Sequence, residues 1–204
     1  MKKEVLLGTY NQGKVERFKN LIASTGLDFE IHIPSDVGLE NFDVEESGST
    51  LAENAEIKVR AYFGKTDMPI LANDTGFWVE GEGLVEAPKR TALEGIYKEN
   101  LSQEEIAEAL LKFWQGVAKK HGGRVNAAWV EAFALLNPDG TLRTSESRRE
   151  IILTDHIFGK SHIQMPVRAL YISKITNKPS LQHTPEEELL ELKPVTDALI
   201  KILS

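Results

Sequence analysis

Cysteine is absent from the 204 residues. Disulfides, thiolate metal sites and a thiol nucleophile are therefore excluded, and no secreted, cross-linked framework is implied. Long apolar runs are also missing. None approaches the roughly 18 residues of a spanning helix, and the opening "MKKEVLLGTYNQGK" lacks a signal-peptide core. The expectation is a soluble, cytoplasmic protein with no membrane partner. Positive charge is in deficit, with 24 Lys and Arg against 31 Asp and Glu, for a net charge of −7. That argues against the broad basic face that sequence-independent nucleic-acid binding needs, and no stable nucleic-acid complex is expected. A small anionic substrate stays compatible, because a few local lysines and a metal override the global sign. The five histidines, at 32, 121, 156, 162 and 183, show no zinc-ligand spacing, and no G-x-S-x-G occurs. Repeats and low-complexity segments are absent too. Apolar residues are plentiful, at 41%, enough for a packed core.

Hydrophobic periodicity predicts the elements. "EVLLGT" reads as a buried strand. "GKVERFKNLIAST" reads as a helix with Val15, Phe18, Leu21 and Ile22 on one face, and "DFEIHI" as a strand. Residues 34–50 form a polar, Gly-punctuated loop. "TLAENAEIKVRAYF" is a helix that Thr50 and Glu53 open with a capping box. "PILAND" and "GFWVEG" read as two short strands around a tight turn. "SQEEIAEALLKFWQGVAKK" is the longest helix, capped by Ser102 and Glu105, with Ile106, Ala109, Leu110 and Phe113 as its buried stripe. Residues 127–153 read as two strands joined at Pro138-Asp139-Gly140. A later strand is expected over "VRALYISKI", and two short C-terminal helices broken at Pro194. The three tryptophans, at 78, 114 and 129, read as core. The order defines an α/β protein with a mixed central sheet flanked by helices, taken as one domain over 1–204. The stretch 120–182 is the candidate for a second lobe.

Three polar clusters carry candidate chemistry. In "GTYNQGK", Gly8, Gly13 and Lys14 have the spacing of a triphosphate loop, yet Val15 stands where a metal-binding hydroxyl belongs. A strand end feeding a helix N-terminus still suits phosphate, and Lys14 adds charge. Equally, Asn11 reads as a helix cap and Lys14 as a solvated first-turn residue. In "EESGSTLAENAEIK", Asn54 and Lys58 share a helix face, while Thr50 and Glu53 are explained by capping. In "PILANDTG", Asp74 at a strand end suits Mg²⁺ or an Asx-turn.

Together these clusters resemble the inosine triphosphate pyrophosphatase family (the Maf/Ham-type, elongated two-lobed architecture). Its T-G-N-x-x-K pattern corresponds to Thr9-Tyr10-Asn11-Gln12-Gly13-Lys14. Its E-x-G-x-T-x-x-E-N-A-x-x-K pattern is met at Glu46, Gly48, Thr50, Glu53, Asn54, Ala55 and Lys58. Its A-D-D-S-G pattern corresponds to Ala72-Asn73-Asp74-Thr75-Gly76. The resemblance implies Mg²⁺-dependent hydrolysis of a nucleoside triphosphate to monophosphate and pyrophosphate, with Mn²⁺ as the alternative metal, in a homodimer. It implies Asp74, Lys58 and Lys14 as catalytic residues and Glu46 and Asp74 as metal ligands. Thr9, Asn11, Lys14, Asn54, Lys58, Thr75 and Gly76 would bind substrate. Four departures stand out. Tyr10 replaces a glycine and Asn73 the first of two acids. The F-G-Y-D-P segment keeps only its proline in His162-Ile163-Gln164-Met165-Pro166, and S-H-R becomes Leu192-Lys193-Pro194. Purine selectivity is accordingly not carried over. A nucleotide-binding protein without turnover is the alternative from another class. A P-loop kinase or ATPase is opposed by Val15.

Overall fold

The structure is a computed structural model that describes residues 2–40, 44–85, 88–94 and 101–204. It is a mixed α/β fold whose seven strands form a central sheet in the order β2-β1-β3-β5-β6-β7, with β4 on β3. The chain divides into two compact units. Residues 41–43, in the middle of the expected polar loop, lie outside the described residues.

The first unit comprises Met1–Thr75, Val130–Arg148 and Lys193–Ser204. Strand β1 (Lys3–Leu7) pairs in parallel with β2 (Phe29–His32), Val5 facing Ile31. On its other side it pairs in parallel with β3 (Ile70–Val79), but only as far as Leu7 opposite Leu71. Helix α1 (Gln12–Thr25) buries Val15, Phe18, Leu21 and Ile22, the predicted face, and ends at Gly26 in the left-handed conformation that favours glycine. Helix α2 (Leu51–Arg60) turns Ala55 and Val59 onto Leu6, Ile70 and Ala72, with Tyr62 in the same cluster. Strands β5 (Arg124–Leu136) and β6 (Leu142–Thr154) meet at the predicted turn, where Gly140 has φ 85° and the Thr141 N–H donates to Asp139 at 2.8 Å. Arg17 on α1 grips the buried Glu131 of β5 with two bonds of 2.8 and 2.6 Å.

The second unit comprises Gly76–Trp129 and Arg149–Leu192. It contains β4 (Gly83–Leu84), α3 (Pro88–Ala92), α4 (Gln103–Lys120) and β7 (Tyr171–Ser173). Its core gathers Phe77, Val79, Trp114, Ile151, Leu153 and Tyr171. Phe77 packs against Trp114 at a tilt of 53° and edge-on against Trp129, at 4.5 and 4.8 Å between ring centres. Trp114 is buried, whereas Trp78 and Trp129 are half-buried. The capping box of Ser102 and Glu105 forms as expected.

Four expectations are corrected. "PILAND" and "GFWVEG" are one continuous strand, β3, with Asp74 at its fifth position. The Asn-Asp-Thr-Gly run looks like a turn, but no residue of it takes a positive φ and the sheet claims its backbone. The α4 stripe is Ala107, Trp114, Val117 and Ala118, rotated from the predicted one. Apolar residues flank the stripe on both sides, and the large indole sets the final roll. Residues Pro166–Leu170 form a 3₁₀ turn rather than a strand, with proline at its start where a fixed φ is favoured. Finally, α5 (Pro185–Leu203) is one helix through Pro194. An interior proline costs about 3 kcal/mol; burial of Val195, Ala198, Leu199 and Ile202 just beyond it offsets that loss.

Candidate active site

The site grows from the point where β1 stops pairing with β3. Beyond Leu7 and Leu71 the two strands separate, and the Gly8 N–H makes the last bond, to the Leu71 carbonyl at 2.8 Å. The loop that leads into α1 lies on one side and the middle of β3 on the other. Gly8 owes its identity to packing. A Cβ there would meet the ring of Tyr62 at 3.1 Å. The Walker-like spacing therefore has another explanation.

Asn11 caps α1, its Oδ1 accepting from the Lys14 N–H at 3.1 Å, while Thr9 Oγ1 accepts from the Asn11 N–H at 3.2 Å. Both capping and site geometry hold at once. The cap fixes the first turn, where Gln12 and Gly13 present N–H groups that have no intrahelical acceptor, and the turn points the positive end of the helix into the pocket.

The long Glu46–Lys58 motif resolves into a set of backbone tasks. Thr50 Oγ1 accepts from the Glu53 N–H at 3.1 Å, and the Glu53 carboxylate accepts from the Thr50 N–H at 3.1 Å and the Ser49 N–H at 2.7 Å. A bond from the Ser49 hydroxyl at 2.7 Å foremost, then the Ser49 N–H, holds the Glu53 pKa below its ordinary value. Asn54 Oδ1 accepts from the Gly48 N–H at 2.8 Å. A Cβ at Gly48 would lie 2.6 Å from that oxygen and 2.9 Å from the Asn54 backbone nitrogen, so only glycine fits this close approach. The result is a tight curl ahead of α2 that brings Glu46 back over the helix.

Glu46 Oε2 and Asp74 Oδ1 each lie 2.8 Å from the Lys58 ammonium. Lys58 also donates to the Asn73 carbonyl at 3.3 Å, and Asn54 Nδ2 reaches Asp74 Oδ2 at 3.4 Å. Asn73, 5% exposed, donates instead to Thr75 Oγ1 at 3.0 Å. Lys14 faces the same pocket, and among the described residues no carboxylate comes within ion-pair distance of its ammonium. Burial, then the Lys58 charge beside it, hold the Lys14 pKa below its ordinary value, while Asp74 and Glu46 pull the other way. The pocket is about 240 Å³, below the roughly 300–1,000 Å³ of sites that enclose a drug-sized ligand. It is sized for the anionic end of one.

Of the residues expected from sequence, Thr9, Asn11, Lys14, Glu46 and Lys58 line this pocket, and Asp74 and Asn54 join through Lys58. Thr75 contributes by holding Asn73. Gly76 continues β3 as the first residue of the second unit. Sequence reading missed Tyr62 and Val44, which line the pocket. It also left Tyr10 unexplained; its hydroxyl bonds to the Leu39 and Glu40 carbonyls. Nothing in the local pattern of Tyr62 separates it from an ordinary core aromatic.

The site is thus a pocket at the end of the first strand of an α/β sheet, lined by Lys14 and Lys58, with a Glu–Lys–Asp cluster at its wall. Residues 5–161 match the model of the Ham1 family, and the chain belongs to that family. A dITP/XTP pyrophosphatase of Thermoanaerobacter sp. (strain X514) is 34% identical over 205 residues, covering 98% of this chain and 94% of the relative. Solved structures share the fold. The Staphylococcus aureus Ham1 protein is 23% identical with a TM-score of 0.67, over 98% of this chain and 99% of its own. A HAM1 protein from Coxiella burnetii is 20% identical with a TM-score of 0.70, over 98% of both chains.

Proposed function

We propose that this protein hydrolyses the bond between the α- and β-phosphates of a nucleoside triphosphate, releasing a nucleoside monophosphate and pyrophosphate. As a Ham1 family member with relatives named dITP/XTP pyrophosphatase, it is a hydrolase acting on acid anhydrides. The observation that carries the reading for these residues is the double approach of Glu46 and Asp74 to the Lys58 ammonium, with Lys14 beside it.

Among the described residues no group of three or more His, Cys, Asp or Glu gathers at one point. Mg²⁺ does not require one, since it is commonly held by one or two carboxylates plus substrate phosphates. The hard oxygens of Glu46 and Asp74, already converging on one cation, fit that donor set. Held there, Mg²⁺ or Mn²⁺ would supply neutralisation of phosphate oxygens. Lys14, Thr9 and the first turn of α1 bind the phosphate tail. Lys58 keeps the two carboxylates together and meets the charge of the incoming phosphates. Asp74 orients the attacking water and accepts its proton; Asn73 is an amide and cannot. Water adds at the α-phosphorus, the bridging oxygen leaves with pyrophosphate, and the proton passes toward Asp74. A cytoplasmic location and a homodimer accompany the reading.

A panel of standard and deaminated nucleoside triphosphates with Mg²⁺, scored separately for pyrophosphate, monophosphate and orthophosphate, tests it. Equal pyrophosphate and monophosphate with no orthophosphate is expected. Orthophosphate alone would point to a γ-phosphate hydrolase. Tight binding with no product would establish the second reading, a nucleotide-binding protein without turnover, which the neutral Asn73 favours.

A further inference from the structure

The Lys58 ammonium sits among three oxygens. Glu46 Oε2 and Asp74 Oδ1 are each 2.8 Å away, and the Asn73 carbonyl is 3.3 Å away. An ammonium has three protons and no lone pair, so this set can use all of them. The oxygens are also held by groups other than Lys58. Asn54 Nδ2 reaches the second oxygen of Asp74 at 3.4 Å, and the Gly48 N–H on Asn54 Oδ1 fixes the curl that carries Glu46. Asn73 and Asp74 belong to β3. Two carboxylates and a carbonyl converging on one point make a hard-oxygen set, the kind that takes a divalent cation. Here the set holds a lysine whose side chain is 11% exposed.

Mg²⁺ binds its oxygens at roughly 2.0–2.1 Å. An ion at that distance and an ammonium at 2.8 Å cannot share the space between the same two carboxylates, and their charges repel. A cation arriving alone would have to drive Lys58 off, leaving a largely buried ammonium without an anion, which is costly. Among the described residues that line the pocket, Glu46 is the only carboxylate, so no other anion waits for the displaced charge. A polyphosphate supplies one. We propose that Lys58 is a built-in stand-in for the divalent cation: it fills the Glu46–Asp74 site in the protein without substrate and yields it only when a polyphosphate receives its charge. Metal and polyphosphate then bind as a coupled pair, each raising the affinity for the other by the same factor. This rests on the reading of Glu46 and Asp74 as metal carboxylates, and it does not depend on turnover.

Free Mn²⁺, counted by electron paramagnetic resonance, gives the affinity of the protein for the metal without any phosphate. Lys58→Met removes the charge and keeps the length, and it should tighten Mn²⁺ binding at least about tenfold, the worth of one charge-assisted contact. Adding Asp74→Asn to that variant should undo the gain. Lys14→Met removes a charge from the same pocket without touching the carboxylates, and its gain should be smaller by about tenfold. Lys58→Met binding Mn²⁺ no more tightly than wild type overturns the exchange. So do equal gains in Lys58→Met and Lys14→Met, which would reduce Lys58 to a distant charge, and a gain that survives Asp74→Asn, which would put the ion elsewhere. The wild-type protein gives a second reading should Lys58→Met fail to fold. In the magnetic resonance spectrum of isotope-labelled lysine, the Lys58 ammonium signal should move on adding Mg²⁺ with inorganic triphosphate and stay in place with Mg²⁺ alone. Movement with Mg²⁺ alone, or none with both, overturns the exchange. A wild-type protein silent on every nucleotide would sink the pyrophosphatase reading, and these titrations would still decide the exchange.

Discussion

Lys58 meets Glu46 and Asp74 at the wall of an open pocket, the three side chains 11%, 44% and 15% exposed. Arg149 meets Glu191 in the second unit with side chains 7% and 3% exposed. Both cations face carboxylates, yet the surroundings differ. Glu191 also accepts from the Tyr171 hydroxyl at 3.1 Å, and its second oxygen lies 3.2 Å from His183. Burial foremost, then the Glu191 charge, pushes the Tyr171 pKa up to about 12. That cluster is more deeply buried, and only His183 of these four residues also lines a cavity. The Lys58 cluster opens onto a cavity where, among the described residues, no carboxylate lies within ion-pair distance of the Lys14 ammonium. A charge cluster becomes a candidate site through access and an unmet charge, and the number of pairs says little.

The largest expected effect comes from breaking the open cluster. Asp74→Asn should lower kcat for pyrophosphate release by ~10²–10⁴-fold with the fold retained. Turnover within tenfold of wild type would erase the functional side of the comparison. Next, Glu191→Ala should remove the buried acceptor shared by Arg149 and the Tyr171 hydroxyl and destabilise the protein by about 3–5 kcal/mol, a fall on the order of 10 °C in the melting temperature. The kinetic constants of the folded fraction should not move. A kinetic loss without a stability loss would reverse the contrast.

A smaller effect should follow pH. Because burial lowers the Lys14 pKa, its ammonium loses the proton below 10.5. Affinity for inorganic triphosphate should therefore weaken as pH rises through that lowered pKa. The loss should reach about tenfold, the worth of one charge-assisted hydrogen bond. Calorimetry should show proton uptake on binding in this range, and Lys14→Met should abolish both. A pH-independent affinity in the wild type would remove Lys14 from the phosphate contacts. The smallest effect is Thr50→Ala, about 1 kcal/mol of stability through the lost cap, read by denaturant unfolding.

Much of the first unit is legible in its sequence because its motifs specify local backbone. The Thr50–Glu53 box, the Asn11 cap and the close approach at Gly48 each join residues within six positions of one another. The spacing alone thus predicts them. Asp74 shows the limit. Its neighbours spell a turn, and only pairing within the sheet makes them strand. The resemblance implies roles for Glu46, Lys58 and Asp74, but only the fold brings the three together. Local pattern supplies no distance between residues 16 apart on separate elements. In the second unit, His162 to Pro166 carry no surviving family pattern except the proline, yet four of the ten residues around a cavity of about 410 Å³ are His162, Met165, Arg168 and His183. A cavity assembled from several chain segments leaves no spacing to read. The single helix through Pro194 was hidden for a related reason, because proline's local preference is visible and the compensating burial is not.

The grip of Arg17 on Glu131 has a mechanical consequence. Two parallel bonds to a carboxylate that is 0% exposed resist rotation as well as separation, since turning the helix would shear both. Arg17 sits three residues past Lys14 on the same helix. The guanidinium therefore works as a key in a slot. It locks the roll of α1 about its own axis, and with it the direction in which the Lys14 ammonium is aimed.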